Sequence, residues 1–346
     1  NIPRHEVARV SELLQAQLLQ PINVNPVQPH MAVADLNIIN NTGPSNPGFN
    51  EFTPLMERNK SQVVASGVVG SNSTLGNEVV LSKLYDRTSI SLGQFHYETK
   101  GFRPNNDQNH NIYNAFIQHA LTPRFNIQGE IRSRKTEHGD LLLDFGPTNF
   151  FSAFRREISE DIARLGAKYS MSHNQDFIFS GKYIDRSENT GITLGNVGFQ
   201  IEAQHQFREK YFNSIIGGSA YKFSWNQKNS DHVRDKTITA MDRENIYVYT
   251  NTSLPSNLSI TTGLSYDSFT SIVDNNRTQK LNPKFGLQWD IIEFLRLRGA
   301  WFETTKSHLI AQQSLEPTQI AGFNQFFDDV NGTRAQRMGI GLDANF

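Results

Sequence analysis

The chain has 346 residues, no cysteine and a formal net charge of -1, and its mean hydropathy is -0.50. No stretch approaches the roughly 18 consecutive apolar residues of a membrane-spanning helix, which excludes a helical membrane bundle. The composition also excludes disulfides and thiolate metal sites, and the near-neutral charge gives no reason to expect a nucleic-acid partner.

The first segment, residues 1–60, predicts one amphipathic helix followed by an extended tether. Within HEVARVSELLQAQLLQ an apolar stripe has helical spacing, and it consists of Val7, Val10, Leu14 and Leu18. The prolines of PINVNPVQP then favour an extended path. Because an isolated helix of this length is marginal in water, the stripe needs a surface to cover. We expect this segment to lie inside the second domain, residues 61–346, and to close it as a plug. A helix that lies in the periplasm and buries its apolar stripe against a partner protein is the alternative.

From residue 61 onward the sequence alternates with period two in segments of about ten residues. Short connections such as 86–87 and 255–257 alternate with longer polar ones such as 135–160 and 305–335, which is typical of barrels with short periplasmic turns and long extracellular loops. The prediction is an all-β fold, a transmembrane antiparallel β-barrel of about 14 strands. The strands are expected near 62–70, 77–85, 88–98, 112–121, 124–134, 161–171, 175–185, 197–207, 210–224, 244–253, 256–267, 281–290, 293–304 and 336–346.

The two faces of these strands differ in polarity. In LRLRGAW, Leu295 and Leu297 alternate with two arginines, and the polar face is too polar for a soluble core. We therefore assign the polar face to a lumen and expect a basic lining that favours an anionic permeant. Cross-barrel ion pairs are the open alternative. The basic residues placed inward are Arg132, Arg164, Lys168, Lys182, Arg186, Lys222, Lys284, Arg296, Arg298 and Arg337.

The chain ends on GIGLDANF, with Phe346 last and apolar residues at every second position before it. This ending resembles the signal by which the assembly machinery recognises outer-membrane proteins of Gram-negative bacteria. The resemblance implies the bacterial outer membrane as location, with its lipid and the barrel assembly machinery as partners. The stretch SLGQFHYETKGFRPNND resembles the C-terminal barrel domain of tetratricopeptide-containing outer-membrane proteins. The layout of a helical segment before about fourteen strands is similar to the long-chain fatty-acid transporter family, without that family's N-terminal signature.

The long connections at 135–160 and 305–335 are expected to be ordered. In the first, Asn149 would begin a short helix that carries Phe150, Phe151 and Phe154. Nearby acidic and histidine residues lack the spacing of a metal site or of a nucleophile and its base. We therefore expect no catalytic residue, no metal and no cofactor, and the protein is not predicted to be an enzyme.

The predicted function is an outer-membrane channel or transporter, of the porin or secretion type, which passes an anionic solute or polymer through a basic, plugged lumen. The alternative is a structural anchor or scaffold, with a sealed barrel, for periplasmic or extracellular protein partners. The sequence leaves both open.

Overall fold

A computed structural model of the chain describes residues 59–141, 150–191, 193–228, 236–271, 276–306, 314–317, 319–325 and 332–344. The predicted helix with Val7, Val10, Leu14 and Leu18 lies outside the described residues, and so does Phe346. The separate segment 1–60 stays a prediction. In the described part of the chain, no helix has the length and apolar character needed to cross a membrane.

Fourteen strands form one antiparallel sheet in chain order, from β1 to β13 and then β16, whereas β14 and β15 form a separate hairpin. Among the described residues, hydrogen-bonded pairing does not join β1 to β16. The predicted number and order of strands are confirmed. The bounds are β1 Lys60–Gly70, β2 Thr74–Tyr85, β3 Thr88–Thr99, β4 Gln108–Thr122, β5 Phe125–His138, β6 Arg156–Ser172, β7 Gln175–Asn189, β8 Thr193–Arg208, β9 Phe212–Lys228, β10 Lys236–Leu254, β11 Leu258–Ser271, β12 Asn276–Ile292, β13 Leu295–Thr305, β14 Gln319–Ile320, β15 Phe323–Asn324 and β16 Arg334–Ala344.

The outer surface of the barrel is mostly apolar and its inner surface is mostly polar, although three clusters of apolar side chains also face inward. In β16, Met338 and Ile340 are 82% and 83% exposed, and the alternate residues, such as Arg337 and Gly339, are partly buried and face inward. The inward side chains of other strands include buried glutamate, glutamine and lysine, such as Glu78, Gln128 and Lys182. A soluble barrel would have the opposite polarity. The outer surface therefore suits lipid, and the inner surface suits a hydrated lumen.

The strands extend further toward the long loops than the sequence predicts. β6 begins at Arg156 instead of residue 161, and β10 begins at Lys236 instead of residue 244. The added outward positions include Glu157 and Ser159, which are exposed and polar. Backbone pairing therefore continues above an apolar band that is about 25 Å tall in such barrels. Apolar alternation, which defined the predicted strands, ends where the band ends.

The short turns are joined to one another by backbone hydrogen bonds, a row that we call the turn ladder. In each bond, an N–H group beside one turn donates to a carbonyl of the turn before it. The ladder ties neighbouring hairpins together at the end of the barrel that carries the short turns. Its bonds are Ala120 to Arg87 (2.9 Å), Ser170 to Arg124 (2.8 Å), Arg208 to Asn174 (2.8 Å), Ser253 to Tyr211 (2.8 Å) and Asp290 to Asn257 (3.1 Å).

At the opposite end, the connection after β3 and the connection after β5 interlock. The amide nitrogen of Asn105 donates to the carbonyls of Phe151 (2.6 Å) and Phe154 (2.9 Å). The Asp140 carboxylate accepts the N–H of Phe151 at 3.0 Å and lies 3.5 Å from the Arg103 guanidinium. The short helix predicted here is wrong for the described residues 150–155, which contain no helix. The Asn105 amide donates to the Phe151 and Phe154 carbonyls, which in a helix would accept hydrogen bonds from N–H groups of the helix itself.

Replacing Gly139 with alanine is expected to separate these two connections. A Cβ atom at this position would lie 2.0 Å from the Asn105 backbone oxygen, so the backbone has to move. Overpacking of this kind costs about 1–3 kcal/mol, and we expect trypsin to cleave after Arg155 about tenfold faster. Gly299→Ala is the matched control, because a Cβ atom there meets nothing within 4 Å. Equal cleavage rates for the two variants would contradict the interlock.

Candidate functional site

Part of the connection between β13 and β16 lies inside the barrel, and we call its described residues 314–317 and 319–325 the luminal strap. Ile320 and Ala321 are buried against Tyr247, Tyr249 and Phe302 of the wall. The expectation that this connection is ordered is confirmed for the strap. It occupies the lumen itself and not the outer mouth.

The Glu202 carboxylate of β8 holds the beginning of the strap. It accepts a hydrogen bond from the Ser314 hydroxyl at 2.8 Å and another from the Leu315 N–H at 2.7 Å. Its second oxygen accepts from the Lys182 ammonium at 3.0 Å. Gln204, also on β8, donates to the Leu315 carbonyl at 2.7 Å. Strand β8 presents these groups together because every second residue of FQIEAQ points inward.

The next strap residue, Glu316, contacts the wall through β10. Its carboxylate accepts the Tyr249 hydroxyl at 2.6 Å and lies 3.8 Å from the Arg243 guanidinium. Burial raises the pKa of the Glu316 carboxyl, and the nearby Lys284 ammonium opposes that rise. A cavity of about 20 Å³ adjoins this carboxyl, with room for about one water molecule. The cavity is lined by Arg243, Ser265, Asp267, Lys284, Thr304, Thr305, Lys306, Glu316 and Gln325.

All but one of the predicted inward basic residues face the lumen, and most of them have acidic partners. Arg132 and Lys284 are buried there, Arg337 is half-buried, and Arg296 pairs with Asp290. The structure therefore favours the ion-pair alternative over a lining of free positive charge. The other pairs are Arg164 with Glu130 (2.5 Å), Lys168 with Asp176 (3.4 Å), Lys182 with Glu202 (3.0 Å), Arg186 with Glu188 (3.0 Å) and Arg298 with Asp343 (2.5 Å).

The inward placement of Lys222 is wrong. Lys222 is exposed on the outer face of β9, and its neighbours Tyr221 and Phe223 are buried inside. The inward row of this strand is apolar and packs against Ile162 and Ile184. Assigning the lumen by polarity therefore reversed the strand, because a change of one residue exchanges the two faces.

The sequence did not identify several luminal groups that contact the strap or its neighbours. Arg243 alternates with polar neighbours on both sides, so polarity does not distinguish its face in MDRENIY. Tyr249 looks like a lipid-facing residue by type. Glu316 lies in a connection that has no periodic pattern. The pairing register of β10 with β11 would have revealed the inward direction of Arg243 and Tyr249, since Arg243 and Asp267 lie two positions apart along these paired strands.

The chain matches the protein family described as TonB dependent receptor-like, beta-barrel, over residues 40–335. The match begins within the segment 1–60 that the sequence assigns to a plug or tether. The likeness to tetratricopeptide-containing proteins and to fatty-acid transporters is thereby corrected to this family. No curated protein is matched by the chain.

Solved structures share the fold at low sequence identity. The siderophore receptor PiuA from Acinetobacter baumannii has a TM-score of 0.58 and 10% identity, with 82% of this chain and 54% of that chain covered. The FrpB iron transporter from Neisseria meningitidis has a TM-score of 0.62 and 14% identity, with coverage of 84% and 53%. The ferric-catecholate import receptor Fiu from E. coli has a TM-score of 0.59 and 10% identity, with coverage of 72% and 55%. The chain thus spans about half the length of these proteins.

An apolar exterior, a polar lumen and a regular alternation of short and long connections are the features of a barrel that crosses the outer membrane. The family match covers most of the sequence and agrees with them. This protein therefore belongs to the TonB-dependent receptor-like β-barrel family of the bacterial outer membrane.

Proposed function

We propose that the chain forms the barrel of a receptor that imports an iron chelate across the outer membrane. The observation that carries the proposal is the lumen, whose buried amide, carboxylate and ammonium groups offer a hydrogen-bonding surface. The similar structures named above are a siderophore receptor, an iron transporter and a ferric-catecholate import receptor. Because the chain spans about half of each, the import activity of the whole receptor is part of the proposal. The family description also supports TonB as the periplasmic partner.

We further propose that the cargo is anionic. Basic side chains face the lumen from Lys168, near the short turns, to Arg186, near the long connections. Their acidic partners reduce the attraction for an anion, so the preference over a neutral chelate of similar size is expected to be modest, on the order of a few-fold. The role of residues 1–60 as a segment docked in the lumen remains a further proposal.

The test is uptake of radioactive iron by a bacterial strain that lacks its own iron receptors and expresses the full chain. We expect import of at least one chelate, dependent on TonB, with anionic chelates taken up faster than neutral ones. Equal rates for anionic and neutral chelates would contradict only the proposed charge preference and not the import proposal. If a folded, surface-exposed barrel imports no chelate, the import proposal is wrong.

The luminal strap and the paired charges favour one other candidate, a sealed barrel that anchors or scaffolds partner proteins. In that case the same strain would show no import, and the barrel would instead co-purify with a defined periplasmic or extracellular protein. The uptake assay therefore distinguishes the two functions.

A further inference from the structure

We propose that the luminal strap is a displaceable closure, latched to the wall through the Glu202 carboxylate, and that it leaves this position before cargo passes. The inference rests on the proposed import function. It concerns the connection between β13 and β16, which is a different part of the chain from the predicted N-terminal plug.

The strap contacts strands on several sides of the lumen. Its first residues bond to β8, as described above, and its hairpin contacts β12, β13 and β16. The Arg298 guanidinium of β13 donates to the Ala321 carbonyl at 3.3 Å. Gly286 of β12 and Gly339 of β16 leave space for the strap, because a Cβ atom there would lie 2.8 Å from Ile320 and 2.6 Å from the Phe323 ring. Cargo that uses this part of the lumen therefore meets the strap.

The two halves of the strap are held by different forces. The hairpin is fixed by apolar packing of Ile320 and Ala321 in the wall cluster. Residues 314–317 are held by hydrogen bonds, in which both backbone groups of Leu315 take part, and the Leu315 side chain is buried as well. Hydrogen bonds can be exchanged for bonds to water or to a polar cargo at small net cost, whereas apolar packing cannot. The hydrogen bonds between residues 314–317 and the wall are therefore the contacts of the strap that can be exchanged most readily.

Glu202 is suited to a reversible contact because its charge is satisfied in both positions of the strap. When residues 314 and 315 leave, the carboxylate keeps its bonds from Lys182 (3.0 Å) and Gln200 (2.6 Å). Release of the strap thus does not strand an uncompensated buried charge, which is the usual large cost of breaking a buried ionic contact. The Glu202 carboxylate therefore has hydrogen-bond partners in the wall whether the strap is bound or released.

The first test measures hydrogen exchange of the Leu315 amide in the full chain, reconstituted in vesicles. Glu202→Gln weakens the acceptor of that amide, and we expect exchange to become about tenfold faster. Ser314→Ala changes only the strap and should give a smaller increase. Glu130→Gln is the matched control, since Glu130 is a luminal carboxylate paired with Arg164 and makes no described contact with the strap. Unchanged exchange in both Glu202→Gln and Ser314→Ala would overturn the latch.

The second test fixes the strap in place. The chain has no native cysteine, so Gln204→Cys and Leu315→Cys can be joined with a short reducible thiol reagent. We expect the joined protein to lose chelate uptake and to regain it when the link is reduced. Normal uptake with the link intact would overturn the closure. If the unlinked chain imports nothing, the import proposal fails, while the exchange measurement still decides whether the strap is latched by Glu202.

Discussion

Replacing Arg243 with methionine is expected to lower the free energy of unfolding by about 3–5 kcal/mol. The guanidinium of Arg243 donates to the Asp267 carboxylate at 2.6 Å and 3.1 Å, and both side chains are almost completely buried. Asn282 also donates to this carboxylate, at 2.8 Å, but an amide carries no compensating charge. Without Arg243 the Asp267 charge would lie near Glu316 with one cation fewer. Denaturant unfolding of the protein in detergent, followed by tryptophan fluorescence, measures the loss.

The matched control is Arg155→Met, which removes the same chemical group from an exposed pair. Arg155 lies 2.7 Å from Asp107, yet about half of each side chain is in contact with solvent. Such pairs contribute about 0–1 kcal/mol, because water already solvates both charges. A second variant, Arg243→Met with Asp267→Asn, should recover part of the loss, since the buried charge is gone. Equal losses for Arg243→Met and Arg155→Met would mean that the buried network does not stabilise the barrel.

Leu165→Arg is expected to cost about 2–4 kcal/mol, which is the penalty for arginine on the lipid face of a barrel near the bilayer midplane. Leu165 is 69% exposed on the outer face of β6, seven residues before the end of that strand at a short turn. The arginine would place a charge where the apolar band requires a hydrocarbon side chain. The fraction of heat-modifiable, folded barrel in the outer membrane and the denaturation midpoint in lipid vesicles both report this cost.

Ser159→Arg provides the comparison on the same face of the same strand. Ser159 is exposed near the long connection, in the part of β6 that extends beyond the apolar band. An arginine at this level should cost about 0–1 kcal/mol. If the two arginines were equally harmful, or equally harmless, the apolar band would not lie at the level of Leu165.

The strand order could be predicted because period-two alternation and turn composition are local properties of the sequence. β16 shows this most clearly, since Met338, Ile340 and Leu342 all point outward as predicted. The method failed at β9, where both faces carry apolar residues and Lys222 alone suggested the lumen. The strand ends beside the long connections were not predicted for a related reason. Backbone pairing in water does not require apolar side chains, so the sequence shows no hydrophobic alternation there.

Only half of the candidate site could be predicted from the sequence. The same period-two alternation places Glu202 and Gln204 of FQIEAQ on the polar face, and both side chains are buried inside the barrel. Their partners Ser314 and Leu315 are more than 100 positions away, in a connection without periodicity. The path of such a connection depends on the shape of the space it fills. That shape arises from the whole sheet and is not encoded in any single segment.

The turn ladder has a mechanical consequence. Any force that pulls on one hairpin is shared with the next through bonds such as Ser170 N–H to Arg124 O, at 2.8 Å, and Ser253 N–H to Tyr211 O, also at 2.8 Å. Spreading two neighbouring turns requires that these bonds and the adjacent strand pairing break together. The part of the wall that carries the linked turns, from Arg87 to Asp290, therefore behaves as a stiff band that resists lengthening. A molecule that travels through this end gains room when material inside the barrel moves aside, and not when neighbouring turns move apart.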